Sequence, residues 1–238
     1  MLWPCWVALG LVLGSLINWV ADHLAQHYLS QTDSPSKTTA APRLDITSLR
    51  VIWLWMQRST DFRAIPRLQR RLLVELTIIA VCVYLWRQFG ASPEFVALLA
   101  YAGLFSVIFV VDAETGFVPN LVLGAGAIIA LTLRLAYSAL PVSSALLGAV
   151  VGFTLFLPLA LIRKGVMGAG DIKLAGLIGL VVGFPGVITA LAMGVVLGGL
   201  GALILMLSGA KRRHDYMPYA PYLAVGCMVT LLRGAAIF

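Results

Sequence analysis

Apolar and polar positions along this chain fall into long blocks. An apolar run opens at about residue 2 and closes at about 21. A bilayer crossing takes about 20 apolar residues, so this run is long enough for one span. A polar stretch covers 22–70, and further runs follow at about 72–89, 94–111, 121–139 and 145–162. The last long run, Leu174 to Gly209, is too long for one crossing and short for two. Phe184-Pro185-Gly186 interrupts it, and Pro and Gly both oppose helix continuation, which divides it into two short spans. A closing run extends from about Tyr222 to Phe238. The pattern predicts an all-α polytopic membrane protein with about eight transmembrane helices. Its parts are a first transmembrane helix over 1–21, a basic loop over 22–70 and a membrane-embedded core over 71–238.

Composition strengthens this reading. Apolar residues make up 61% of the chain and charged residues 11%, against about 45–50% and about 25% in soluble proteins. So few charges cannot cover a soluble globule of this size. No Lys or Arg precedes the first run, which therefore lacks the basic start of a secretory signal peptide and reads as a retained span.

The net charge of +7 is explained by orientation. With 22–70 placed in the cytoplasm, every Lys and Arg falls on that side except Arg87, Arg134 and Arg233. The positive-inside rule produces this skew, and anionic lipid headgroups are the natural partner of the basic loops; nucleic acid is not needed. Within 22–70, Gln31–Pro42 reads as a flexible loop. Ile46–Met56, with Trp53 and Trp55, reads as a segment at headgroup depth. Cys5, Cys82 and Cys227 lie in apolar runs with no CxxC spacing, which excludes a cysteine zinc site and argues against a disulfide framework. His23, His27 and His214 show no ligand spacing, so the metal expectation is none. Trp3, Trp6, Trp19 and Trp86 read, with the other two, as an interfacial belt.

Against this background the carboxylates stand out, because a carboxylate at membrane depth is costly and marks function by default. Asp112 follows the run Phe105–Val111, and Asp171 sits in Gly168-Ala169-Gly170-Asp171 ahead of the run from Leu174. Two crossings separate them, so both face one side. Neighbouring carboxylates cannot easily both ionise and hold one proton between them. The ionised member can then deprotonate water while the protonated member polarises a carbonyl. Such a pair titrates as a unit, which leaves the base and the acid unassigned. Gly168 and Gly170, lacking side chains, would admit a substrate backbone close to Asp171. Glu114, two residues from Asp112, reads as solvated. Proton-coupled transport through the same two aspartates is the competing reading, although both acids lie near one interface and not at the midplane.

Asp112-Ala-Glu-Thr-Gly-Phe-Val-Pro119-Asn resembles the first-aspartate motif of the type IV prepilin peptidases, and Gly168-Ala-Gly170-Asp171-Ile-Lys173 matches their GxGDxK motif. Gly14-Ser-Leu-Ile-Asn18 is similar to the family's GSFLN element, and Arg71-Leu-Leu-Val-Glu75-Leu to its RYPLVEL segment without the Tyr-Pro. Pro218-Tyr-Ala-Pro221-Tyr-Leu-Ala-Val-Gly226 is similar to its PFGPxLALG segment, with Ala220 in place of glycine. The resemblance implies a GxGD-type aspartic endopeptidase of the bacterial inner membrane that removes the basic leader from prepilins or pseudopilins at the cytoplasmic face. Asp112 and Asp171 would be its catalytic pair. Lys173 would orient substrate, bias the pair or snorkel to the interface, and Pro119 and Pro221 would shape helix entries. A related GxGD protease with other substrates carries the same dyad. Many members have paired CxxC motifs in the first loop, which 22–70 lacks, and many also methylate the mature pilin. Proteolysis needs no cofactor; S-adenosylmethionine enters only with methyl transfer, for which Glu75 is the candidate residue.

Overall fold

The structure is a computed structural model, and it describes residues 3–31, 65–136, 141–162, 168–207 and 219–233. These residues form eight α-helices and, among them, no strand: α1 (Trp3–Gln31), α2 (Ile65–Phe89), α3 (Pro93–Thr115), α4 (Asn120–Ala136), α5 (Val142–Ile162), α6 (Ala169–Val182), α7 (Gly186–Leu207) and α8 (Ala220–Arg233). The segment Ile46–Met56 with Trp53 and Trp55, the Ser/Thr/Pro-rich stretch after Gln31, His214 and the basic clusters Arg163–Lys164 and Lys211–Arg213 lie outside the described residues.

The helices coincide with the apolar runs, including the break at Phe184-Pro185. Their lengths are uneven. Stretches within α1, α2, α3 and α7 are long and apolar enough to cross a bilayer, whereas the apolar stretches of α4, α5 and α8 are shorter. At 14 residues α6 spans only about 21 Å, less than the roughly 30 Å of a hydrocarbon core. The helix α1 also continues ten residues past Ala21, to Gln31.

The chain divides into two compact units, Met1–Val107 and Ile108–Phe238, and α3 passes from one into the other. In the first unit α1 packs along α2. Trp6 and Trp86 stack at 3.9 Å, with Phe95 edge-on to both. These two tryptophans therefore pack on each other as well as marking helix ends. Below them runs a polar seam: Ser15, Asn18 and Asp22 recur at helical spacing on α1 and face α2. Asp22 receives one hydrogen bond each from Arg70 and Arg71, both at 2.6 Å. This pairing neutralises charges that made the sequence beyond residue 21 look like a loop.

In the second unit α6 is the hub, packed by α4, α5, α7 and α8. Ten of its residues are buried, as expected of a helix apolar on all sides and enclosed by protein. A helix so enclosed has no need to reach both headgroup layers. Its contact with α5 is backbone against backbone. A Cβ on Gly148 would strike the Gly179 carbonyl and lie 2.8 Å from the Gly183 carbonyl carbon. Small residues permit this approach in membrane helices, where dispersion replaces the hydrophobic effect as the source of association. The last turn of α6 is capped from α4: buried Arg134 donates through Nη2 to the Val181 carbonyl at 2.7 Å. Arg134 therefore satisfies an orphan helix-end carbonyl, a role that the charge count alone did not suggest.

Candidate active site

The site is built on the end of α3, the start of α6 and the start of α8. Gly116 adopts φ +66°, and its N–H donates to the Asp112 carbonyl at 2.8 Å, ending α3 in a left-handed cap. Thr115 Oγ1 donates to the Val111 carbonyl at 2.7 Å and accepts the Phe117 N–H at 3.3 Å. Val118 and Pro119 are buried, and the Pro119 carbonyl accepts N–H bonds from Val122 and Leu123 as α4 opens. Local bonds therefore fix the chain from Asp112 to Asn120.

Asp171 is the third residue of α6. Its Oδ2 accepts the Gly168 N–H at 3.1 Å, one half of a capping box. The positive end of the helix dipole also favours a carboxylate in that turn. The Asp112 carboxylate accepts a hydrogen bond from the backbone N–H of Ala220, the first residue of α8. Asp112 is 1% exposed and Asp171 5%. The two carboxyl groups interact electrostatically, so residues 59 apart in sequence come into one place. Asp112 Oδ2 is buried with no hydrogen-bond partner among the described residues. Tyr219 lies near Asp171; burial, and then the Asp171 charge, push its phenol above the ordinary tyrosine range.

The remaining candidates take distinct places. A Cβ on Gly170 would lie 3.1 Å from Val118 Cβ, so this glycine is flush against the α3–α4 connection. At Gly168 the nearest atom to such a Cβ is Asp171 Oδ2 at 3.6 Å, which is ordinary contact. Lys173 is exposed, and its Nζ donates to Asn120 Oδ1 at 2.9 Å. Glu114 is exposed, and Pro119 stands at the entry to α4.

Glu75 belongs to the first unit. It is 2% exposed; its Oε1 accepts the Ser15 hydroxyl at 3.2 Å, and its Oε2 has no hydrogen-bond partner among the described residues. One turn along α1, Asn18 Nδ2 donates to the Arg71 carbonyl at 3.2 Å, while its Oδ1 is likewise buried without a partner. Gly14 allows this closeness, since a Cβ there would lie 2.8 Å from the Glu75 Cα. Among the described residues no three His, Cys, Asp or Glu side chains come together as a metal-ligating group.

Sequence reasoning missed Asn120, Tyr219 and Ala220. Asn120 ends the Asp112 motif, and Tyr219 and Ala220 lie in the Pro218–Gly226 segment. Both segments had been singled out, so the signal was present at the level of the segment. Ala220 acts through its backbone and leaves no side-chain signature.

The type IV leader peptidase family matches residues 98–203, the stretch holding both aspartates, which bears out the resemblance read from the motifs. A prepilin leader peptidase/N-methyltransferase of Bacillus subtilis is 30% identical over 150 residues, covering 63% of this chain and 60% of that protein. One of Pseudomonas putida is 29% identical over 161 residues, covering 66% of this chain and 56% of that protein. The chain thus matches little more than half the length of these relatives. No solved structure gives a significant match.

Proposed function

Because residues 98–203 match the type IV leader peptidase family, we propose that this protein is a membrane aspartic endopeptidase. It cleaves the basic leader from type IV prepilins or pseudopilins at the cytoplasmic face of the bacterial inner membrane. The observation that carries the reading is that Asp112 and Asp171 are both buried and near enough for the Asp171 charge to act on Asp112. One carboxylate takes a proton from water as the water oxygen attacks the scissile carbonyl carbon. The other, protonated, donates to the carbonyl oxygen. Reversal of the two roles protonates the leaving amine and breaks the C–N bond. The unpartnered Asp112 Oδ2 is an acceptor suited to the attacking water. The Ala220 and Gly168 N–H bonds orient the two carboxyl groups. The skew of basic residues supports the cytoplasmic placement.

A second reading, methyl transfer to the new N-terminus, is favoured by one feature of the first unit. Glu75 Oε2 and Asn18 Oδ1 are buried acceptors that fit a cationic group, whether an amine or the sulfonium of S-adenosylmethionine. When bound, that cofactor would supply the methyl group, with Glu75, Ser15 and Asn18 holding it or the amine.

The test is incubation of the purified protein with a panel of leader-bearing peptides and mapping of the cut by mass spectrometry. Cleavage after a glycine just ahead of a hydrophobic stretch is expected. Cleavage elsewhere, or proton-coupled uptake in proteoliposomes without proteolysis, overturns the reading.

A further inference from the structure

We infer that Asn120 is a positioning residue for the Asp112–Asp171 pair, acting through Lys173 to hold the first turn of α6 against the end of α3. The inference rests on the peptidase reading for its catalytic consequence and on geometry alone for the placement. Two contacts join the α3–α4 connection to α6 in register. Gly170 lies flush on Val118, and two residues beyond Val118 and three beyond Gly170 Lys173 Nζ meets Asn120 Oδ1 at 2.9 Å. The hydrogen bond closes a short cycle, running from Asp112 through eight residues to Asn120, across to Lys173, and back two residues to Asp171.

The longer arm of that cycle is stiff. Gly116 caps α3, Thr115 binds Phe117, and buried Pro119 starts α4. The shorter arm is the first turn of a helix whose N-cap N–H is held by Asp171 itself. Both arms are locally hydrogen-bonded, so a displacement between them is passed to the contacts that join them. Relative motion of the two segments that carry the carboxylates therefore works against the Asn120–Lys173 bond and the Val118–Gly170 contact. The Val118–Gly170 contact resists compression only. At this end of α6 the polar bond is what resists separation, as the Arg134–Val181 bond does at the other end. It also gives Lys173 a partner other than substrate.

The test uses the full-length protein in nanodiscs with a leader-bearing peptide. Asn120→Leu is expected to lower kcat about tenfold, since sub-ångström misplacement of catalytic groups is felt at that scale, with KM within about twofold. The pH–rate profile should shift as well, because the separation of the carboxylates sets the spacing of their two macroscopic ionisations. Asn120→Asp keeps an acceptor oxygen and should restore both readouts. The double variant Asn120→Leu/Lys173→Met should be no slower than the slower single variant, since both remove one bond.

A second measurement is independent of activity. Spin labels on Ala113→Cys and Ala169→Cys, both exposed positions, in a Cys5→Ser background report the distance across the pair. One narrow distribution is expected in the parent and a broadened one in Asn120→Leu. An unchanged distribution, parental kinetics in Asn120→Leu, or losses that multiply in the double variant overturn the inference. Should the distribution broaden while the parent cleaves no leader, the positioning role stands and the peptidase reading falls.

Discussion

The two motif glycines are expected to respond unequally to alanine, although the sequence gives them one reason for being there. At Gly170 the added methyl would sit 3.1 Å from Val118 Cβ and 3.5 Å from its Cγ2. Ordinary contact begins near 3.4 Å, so one side must retreat by about 0.3 Å. Val118 is 3% exposed and cannot swing into open space. Overpacking of this kind costs roughly 1–3 kcal/mol, and a single methyl falls at the low end. Alanine in a helical position recovers about 0.5–1 kcal/mol relative to glycine. The two terms nearly cancel, so Gly170→Ala should melt close to the parent. Activity has no such compensation, because the retreat displaces the turn that carries Asp171, and kcat should fall about tenfold. At Gly168 the methyl meets nothing nearer than 3.6 Å, the backbone is at φ −75°, and the N–H to Asp171 is untouched. Gly168→Ala should therefore keep kcat within about twofold. The assay is initial-rate cleavage of a leader-bearing peptide in nanodiscs, with thermal melting by circular dichroism on the same samples. Loss of activity in Gly168→Ala with retention in Gly170→Ala would refute the packing argument and return both glycines to the role of admitting substrate.

Three further outcomes follow from the same geometry. Gly148→Val pushes a side chain into the Gly179 carbonyl, where both sides are backbone and neither yields; a loss of about 3 kcal/mol or more is expected, and an unchanged melting curve would contradict it. Glu75→Gln should leave leader cleavage within about twofold while abolishing methyl incorporation from labelled S-adenosylmethionine, and equal loss of both activities would contradict a separate role for the first unit. On the proposed function a basic leader approaches a chain of net charge +7, so docking of the substrate's hydrophobic segment should carry recognition; cleavage should change less than about twofold between low and moderate salt, and a steep salt dependence would count against this.

The fold was legible where one physical signal dominated. Apolar runs set the eight helices of the described residues, and Pro185 with its neighbouring glycines divided α6 from α7. The extension of α1 to Gln31 was hidden because Asp22 reads as loop polarity until Arg70 and Arg71, 48 and 49 residues away, are seen to pair with it. The shortness of α6 was likewise invisible, since apolar content does not distinguish a helix facing lipid from one enclosed by α4, α5, α7 and α8. At the site, Asp112 and Asp171 were conspicuous because carboxylates are rare in such surroundings. The Lys173–Asn120 bond was not, as it joins two common polar residues across 53 positions. The donor on Asp112 is the amide of an alanine, which no reading of side chains finds.

The proposed peptide hydrolysis rests on Asp112 and Asp171 acting as one proton-sharing pair. The most direct measurement compares leader release by the parent, Asp112→Asn and Asp171→Asn, each inserted in the membrane to the same extent. Each single substitution is expected to abolish release, because a lone carboxylate cannot serve as base and acid together. Near-parental cleavage by either variant would contradict it.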